Sequence, residues 1–130
     1  MNQVFFVLYV DDQARSRTFY TAVLGQAPEL DVPGMTEYRL GEKVVLGLMP
    51  NAGIRRLLGD TIPDPGLGSA YPRCEVYLLL DDLDAAEARA QNAGARRLAP
   101  RAARDWGDDV SYWQDGDGHI IGLARRSART

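Results

Sequence analysis

Hydrophobic side chains first gather in the run Phe5-Phe6-Val7-Leu8-Tyr9-Val10, which stops at Asp11-Asp12. A second run, Glu75-Val76-Tyr77-Leu78-Leu79-Leu80, stops at Asp81-Asp82, 70 positions further on. Both carry the β-branched and aromatic bias of a strand. Each Asp pair is placed to cap a helix, because a short carboxylate accepts hydrogen bonds from the free N–H groups of a first turn. The pattern predicts a helix over about Gln13–Leu24, with Ala14, Phe19, Val23 and Leu24 toward a core, closed by Gly25. It predicts a second over about Leu83–Ala93, closed by Gly94.

The repeat continues at a spacing of 75 residues. Tyr38-Arg39-Leu40-Gly41-Glu42-Lys43-Val44-Val45-Leu46-Gly47-Leu48 matches the segment from Trp113 to Leu123, and both read as strand, tight turn, strand. A short strand is expected after each helix, near residues 27–32 and 96–100. The sequence therefore predicts an α+β fold of two βαβββ modules, about residues 3–50 and 72–125. The linker of about 51–71 is broken by Pro63, Pro65, Gly66 and Gly68, with one helical turn near Ile54–Leu58. The 130 residues, 45% of them hydrophobic and 25% charged, suit one ordinary globular domain spanning 1–130.

The net charge of −3 argues against a nucleic-acid partner, which needs a basic stripe to displace phosphate counterions. Arg125, Arg126 and Arg129 are read as a solvated terminus. One cysteine, Cys74, excludes an intramolecular disulfide or a cysteine zinc cluster. Met1-Asn2-Gln3 carries no positive charge, and the Val4–Val10 run is far short of the roughly 20 residues that cross a bilayer. A cytoplasmic protein with no membrane partner is expected.

Val10-Asp11-Asp12, Arg17-Thr18-Phe19-Tyr20, Val23-Leu24-Gly25, Trp106-Gly107 and the block Asp115–Leu123 give the chain a resemblance to the vicinal-oxygen-chelate superfamily. That group includes glyoxalase I, extradiol dioxygenases, fosfomycin-resistance enzymes and bleomycin-resistance proteins. The resemblance covers nearly the whole chain, although relatives more often have Pro at the position of Gly116. It implies a cup-shaped, eight-stranded mixed sheet, the glyoxalase/bleomycin-resistance fold, often completed in a homodimer with modules exchanged. It also implies that metal-dependent relatives place their ligands at the positions of Phe5, Gly47, Glu75 and Gly122. Here only Glu75 has a side chain able to coordinate, so no metal and no cofactor are expected. His119, the one histidine, is read as a turn residue.

Strand alternation assigns Phe5, Val7 and Tyr9 to the concave side, with Glu75, Tyr77 and Leu79 as their repeat. Reading the hairpins the same way adds Thr36, Tyr38, Val45 and Gly47, and Ser111, Trp113, Ile120 and Gly122. Tyr38 and Trp113 are expected as equivalent stacking walls, with Gly47 and Gly122 as open floor. Trp106 is read as a rim residue, and the linker with Arg55 and Arg56 as solvated loop. The expected function is non-catalytic sequestration of a small aromatic natural product, such as a DNA-active antibiotic with a planar chromophore. Two alternatives stay open: a metal-dependent lyase or isomerase resembling glyoxalase I, and a metal-free enzyme with Glu75 as base and Tyr9 or Tyr77 as acid. A packed core, with Glu75 paired to Arg73 or Arg104, is the plain alternative to a ligand site.

Overall fold

The computed structural model describes residues 1–127 as two compact units. One comprises Met1–Thr21 with Gln26–Ser69, the other Ala22–Gly25 with the chain from Ala70 on. The first contains β1 (Val4–Val10), most of α1 (Gln13–Leu24), β2 (Leu30–Val32), β3 (Met35–Gly41), β4 (Val44–Pro50) and α2 (Asn51–Leu58). The second contains β5 (Glu75–Leu79), α3 (Leu83–Asn92), β6 (Arg96–Ala103), β7 (Asp108–Gln114) and β8 (Ile120–Arg126). The eight strands are hydrogen-bonded as two four-stranded sheets, in the orders β1-β4-β3-β2 and β5-β8-β7-β6. In each, the first and last strands of the module run parallel and the others antiparallel.

The Asp pairs act as caps. Asp12 Oδ1 accepts the Arg15 N–H at 3.0 Å, and Asp82 Oδ1 accepts the Ala85 N–H at 3.1 Å. Gly25 and Gly94 end the helices at φ +67° and +86°. On α1 the buried positions are Ser16, Tyr20 and Val23, spaced to face one side of a helix. Ala14 is exposed and Phe19 only half-buried, so the expected inward face of this helix is rotated. The linker is more ordered than expected: α2 occupies Asn51–Leu58, and short 3₁₀ turns follow at Gly59–Thr61 and Pro65–Gly68.

Cross-strand register shows which face each helix covers. In the first unit Leu8, Leu48 and Thr36 lie side by side, as do Phe6, Leu46 and Tyr38. Leu8, Leu46, Leu48, Thr36 and Tyr38 are buried, whereas Phe6, on the edge strand β1, is 62% exposed although its alternation predicts packing on the helix. Tyr38 donates its hydroxyl to the Arg17 carbonyl (3.0 Å) and bonds the Thr21 hydroxyl (2.8 Å), both on α1. Thr36 accepts from Gln13 on the same helix at 2.9 Å and donates to Asp31. In the second unit Trp113 lies beside Ile121, and Ser111 beside Leu123. All four are buried with Leu83, Ala86 and Ala90 of α3, and the Trp113 indole donates to Ser111 Oγ at 2.9 Å.

Thr36, Tyr38, Ser111 and Trp113 therefore sit on the helix-covered faces, contrary to the sequence expectation. The cause is a one-residue difference in pairing. A bulge between Arg39 and Gly41 sets Arg39 opposite Val45, and a five-residue loop from Asp115 to His119 sets Gln114 opposite Ile120. A slip of one residue moves every side chain of a strand to the other face.

Asp115 defines that loop. Its Oδ1 accepts the N–H groups of Asp117 and His119, each at 2.9 Å, and its Oδ2 bonds His119 Nδ1 at 2.9 Å. His119, 2% exposed, is thus a structural residue of the turn. Arg125 and Arg126 belong to β8, where they pair with Asp109 and Asp108, rather than to a loose tail; Arg129 lies outside the described residues. No helix among the described residues is long and apolar enough to cross a membrane.

Candidate functional site

Each sheet leaves one face to side chains of the opposite parity. In the first unit these are Phe5, Val7 and Tyr9 of β1, Met35, Glu37 and Arg39 of β3, and Val45, Gly47 and Met49 of β4. Phe5 and Val7 are 47% and 37% exposed, while Val45 is buried. The second unit presents Glu75, Tyr77 and Leu79 of β5, Ile120 and Gly122 of β8, and Tyr112 and Gln114 of β7. Met35, Glu37 and Arg39 on β3 and Tyr112 and Gln114 on β7 stand there instead of Thr36, Tyr38, Ser111 and Trp113, which belong to the covered faces.

The two glycines are not bare floor. A Cβ built on Gly47 would lie 3.2 Å from Met35 Sδ and 3.3 Å from a Val7 methyl. One on Gly122 would lie 2.8 Å from Tyr77 Cδ2 and 3.1 Å from Glu75 Oε2. The Tyr77 ring and the Glu75 carboxylate thus occupy the space above β8 that a longer side chain would need. Neither Arg73 nor Arg104 neutralises Glu75. Arg73 bonds the Tyr71 and Asp117 carbonyls, and Arg104 bonds the Pro100 and Val110 carbonyls and lies over the Tyr112 ring at 5.2 Å.

Polar bonds tie the aromatic part of this face together. Tyr77 donates its hydroxyl to Asp108 Oδ2 at 2.5 Å and accepts the Trp106 indole N–H at 2.9 Å. Asp108, 3% exposed, also accepts from Arg126 through Oδ1 at 3.1 Å. Burial, reinforced by the bond to Asp108, pushes the Tyr77 phenol above its ordinary range, so it holds its proton. Trp106, expected at a rim, is 57% exposed and projects from the β6–β7 turn. Sequence reasoning missed Asp108 and put Arg126 in a solvated terminus, because an acid at a strand start and an arginine near the end of one have many ordinary uses.

Divalent metal at the positions used by metal-dependent relatives does not fit these residues. In the first unit, Phe5 and Gly47 supply no donor. In the second, Glu75 is a lone carboxylate and the Gly122 space is taken by a ring. A divalent ion held by one carboxylate stays largely in water. Among the described residues, one other group could converge on an ion, Asp115, Asp117 and His119. There, however, Asp115 already uses both oxygens to shape its own loop.

The chain is similar in structure to a glyoxalase-related enzyme from Fulvimarina pelagi, at a TM-score of 0.78 and 22% identity, over 97% of this chain and 89% of the other. A glyoxalase/bleomycin resistance protein/dioxygenase from Nocardioides matches at TM-score 0.77 and 21% identity, over 100% and 85%. A glyoxalase/bleomycin resistance protein from Catenulispora acidiphila matches at 0.69 and 20%, over 98% and 100%. At these identities the likeness shows the fold. No curated protein sequence matches the chain. The family described as glyoxalase-like domain matches residues 5–124, nearly the full length. This chain accordingly belongs to the glyoxalase-like domain family of the vicinal-oxygen-chelate superfamily.

Proposed function

We propose that this protein binds a small, planar, cationic aromatic molecule and does not transform it, as a sequestering protein of the bleomycin-resistance type. The natural ligand in this reading is a DNA-active antibiotic with a flat chromophore, and the outcome is drug resistance or self-protection. The observation that carries it is the composition of the second unit's open face. Two exposed rings, Tyr77 and Trp106, are bonded to each other beside the Glu75 carboxylate, where a metal-dependent relative would place ligands. Stacking on such rings adds about 0.5–1.5 kcal/mol per pair beyond area burial. A carboxylate next to them favours a ligand carrying positive charge or N–H donors.

The enzymatic alternatives have less support. Metal-dependent lyase chemistry lacks its donor set. Glu75 as base would need a partner acid, and Tyr77, bonded to Asp108 with its proton held more tightly than usual, is poorly suited to give one up. The homodimer expected from the resemblance belongs to the same proposal. A solution mass of twice 14.3 kDa by light scattering supports it, and a monomer at micromolar concentration counts against it.

The test is a titration with bleomycin and with a planar cationic acridine dye, followed by tryptophan emission. Of the two tryptophans only Trp106 is exposed, so saturable quenching reports on this face. Trp106→Ala and Glu75→Gln are expected to weaken binding. Lack of saturable quenching by either compound up to about 1 mM overturns the reading.

A further inference from the structure

We propose that Gly122, Tyr77 and Asp108 form a positioning relay that holds the Trp106 indole as a preset wall of the ligand site, and that this orientation selects flat ligands. The inference rests on the ligand-binding reading above, but its first readout needs no ligand.

The relay starts at the sheet. Because Gly122 has no side chain, the Tyr77 ring settles across β8, where even a Cβ would be 2.8 Å from the ring. That fixes where the phenol oxygen lies. Asp108 then accepts its hydroxyl hydrogen bond, and the two Asp108 oxygens are divided between Tyr77 and Arg126. A carboxylate 3% exposed is stable only with such donors, so it grips the phenol through a charge-assisted bond. With its proton committed, the Tyr77 oxygen presents a lone pair to the Trp106 indole.

The backbone beneath Trp106 is pinned as well. The Gly107 N–H bonds the Arg104 carbonyl (3.1 Å), the Arg104 N–H bonds the Asp108 carbonyl (2.8 Å), and the Ser127 N–H bonds the Gly107 carbonyl (2.9 Å). Gly107, at φ +94°, allows this tight turn. The backbone is therefore set, and the hydrogen bond to Tyr77 fixes the remaining freedom of the indole. An exposed tryptophan tied in this way loses less freedom when a ligand stacks on it, which is how preorganisation raises affinity.

The experiment uses fluorotryptophan-labelled protein, whose fluorine NMR spectrum carries one resonance for Trp106 and one for Trp113. Tyr77→Phe keeps the ring and removes the oxygen. In ligand-free protein it is expected to narrow and shift the Trp106 resonance while leaving that of buried Trp113 in place, which shows that the fold is kept. Gly122→Ala is expected to move the Trp106 resonance too, by displacing the Tyr77 ring. Acridine-dye affinity of Tyr77→Phe is expected to fall about 3–10-fold, the effect of one lost hydrogen bond. An unchanged Trp106 resonance in Tyr77→Phe overturns the relay. A mobile Trp106 with unchanged dye affinity overturns its role in selection. Absence of dye binding in the wild type overturns the ligand reading instead, while the ligand-free spectra still decide whether the relay exists.

Discussion

The Tyr77 ring fills the space above Gly122: a Cβ on that glycine would stand 2.8 Å from Tyr77 Cδ2, closer than real Cβ contacts come. The first module repeats the arrangement, with Val7 and Met35 closing over Gly47. Val7 and Tyr77 are equivalent by the 70-residue repeat, and Gly47 and Gly122 by the 75-residue repeat. In both modules, then, the position from which a relative would extend a metal ligand is a glycine, and the neighbouring strand has grown across it.

A first prediction concerns metal. Protein incubated with Zn²⁺, Ni²⁺ or Mn²⁺ and then dialysed is expected to retain far less than one ion per chain by elemental analysis, because Glu75 alone cannot hold the ion against water. One tightly held ion per chain, lost in Glu75→Gln, would return the enzyme reading to favour.

A second prediction separates core rings from site rings. Tyr38→Phe leaves the Thr21 hydroxyl and the Arg17 carbonyl without their partner, and should cost about 1–2 kcal/mol of stability. Trp113→Phe shrinks a buried ring and strips Ser111 of its donor, at a cost of roughly 1–3 kcal/mol. Chemical denaturation measures both. Neither substitution should change dye affinity by more than about twofold, since both rings lie under helices. A large loss of affinity without loss of stability would place them in the site after all.

The sequence carried the repeat, the helix limits and the parity of β1, β5 and β8 because each is a local signal. Val7 and Tyr9 alternate with Leu8 and Val10, and Asp12 and Gly25 bracket a helix. The faces of β3 and β7 were not legible from the hairpin turns, since they depend on how many residues each turn absorbs. Around Gly41 a bulge adds one, and around Gly118 the loop takes five. The alternation of Glu37 and Arg39 with Thr36 and Tyr38 was a usable clue that Tyr38 faces a core. β7 offered less, because Val110 and Tyr112 are as apolar as Ser111 and Trp113 are mixed. The bond from Trp106 to Tyr77 joins residues 29 apart, and no local pattern encodes it.

A third prediction follows from Arg101, which bonds Asp84 at 2.6 Å and Glu87 at 2.5 Å on α3. The bond to Arg101 holds the Asp84 carboxyl below its ordinary 3.8. Burial alone would raise Glu87, but its bonds to Arg101 and Ser111 outweigh that and hold it below 4.5. Both groups have folded values lower than their unfolded ones. Their contribution is therefore complete above about pH 5 and is lost as pH falls through the folded values. Arg101→Met is expected to lower Tm at pH 7 by about 2–4 °C, and its effect is expected to shrink as the pH is taken below the ordinary carboxylate range and Asp84 and Glu87 take up protons. Parallel Tm-against-pH curves for wild type and variant would refute the assignment.

A fourth prediction sets two backbone positions against each other. Gly118 has φ +95°, and a Cβ there would be 2.5 Å from the carbonyl carbon of Ala70 and 2.7 Å from its Cα, both rigid backbone. Ala70 in turn has φ +72°, the one described non-glycine residue in the left-handed region, and its N–H bonds the Asp117 carbonyl at 2.9 Å. Gly118→Ala adds backbone strain to a collision and should cost roughly 2–4 kcal/mol. Ala70→Gly removes a Cβ that disfavours this conformation, and should stabilise by up to about 1 kcal/mol. Because the two backbones touch, the substitutions should not add. A glycine at 70 lets the chain yield to the new methyl, so the double variant is expected to recover more than the single Ala70→Gly gain. Urea denaturation of the four proteins measures this coupling. If Gly118→Ala unfolds within about 0.5 kcal/mol of wild type, the loop does not press on Ala70.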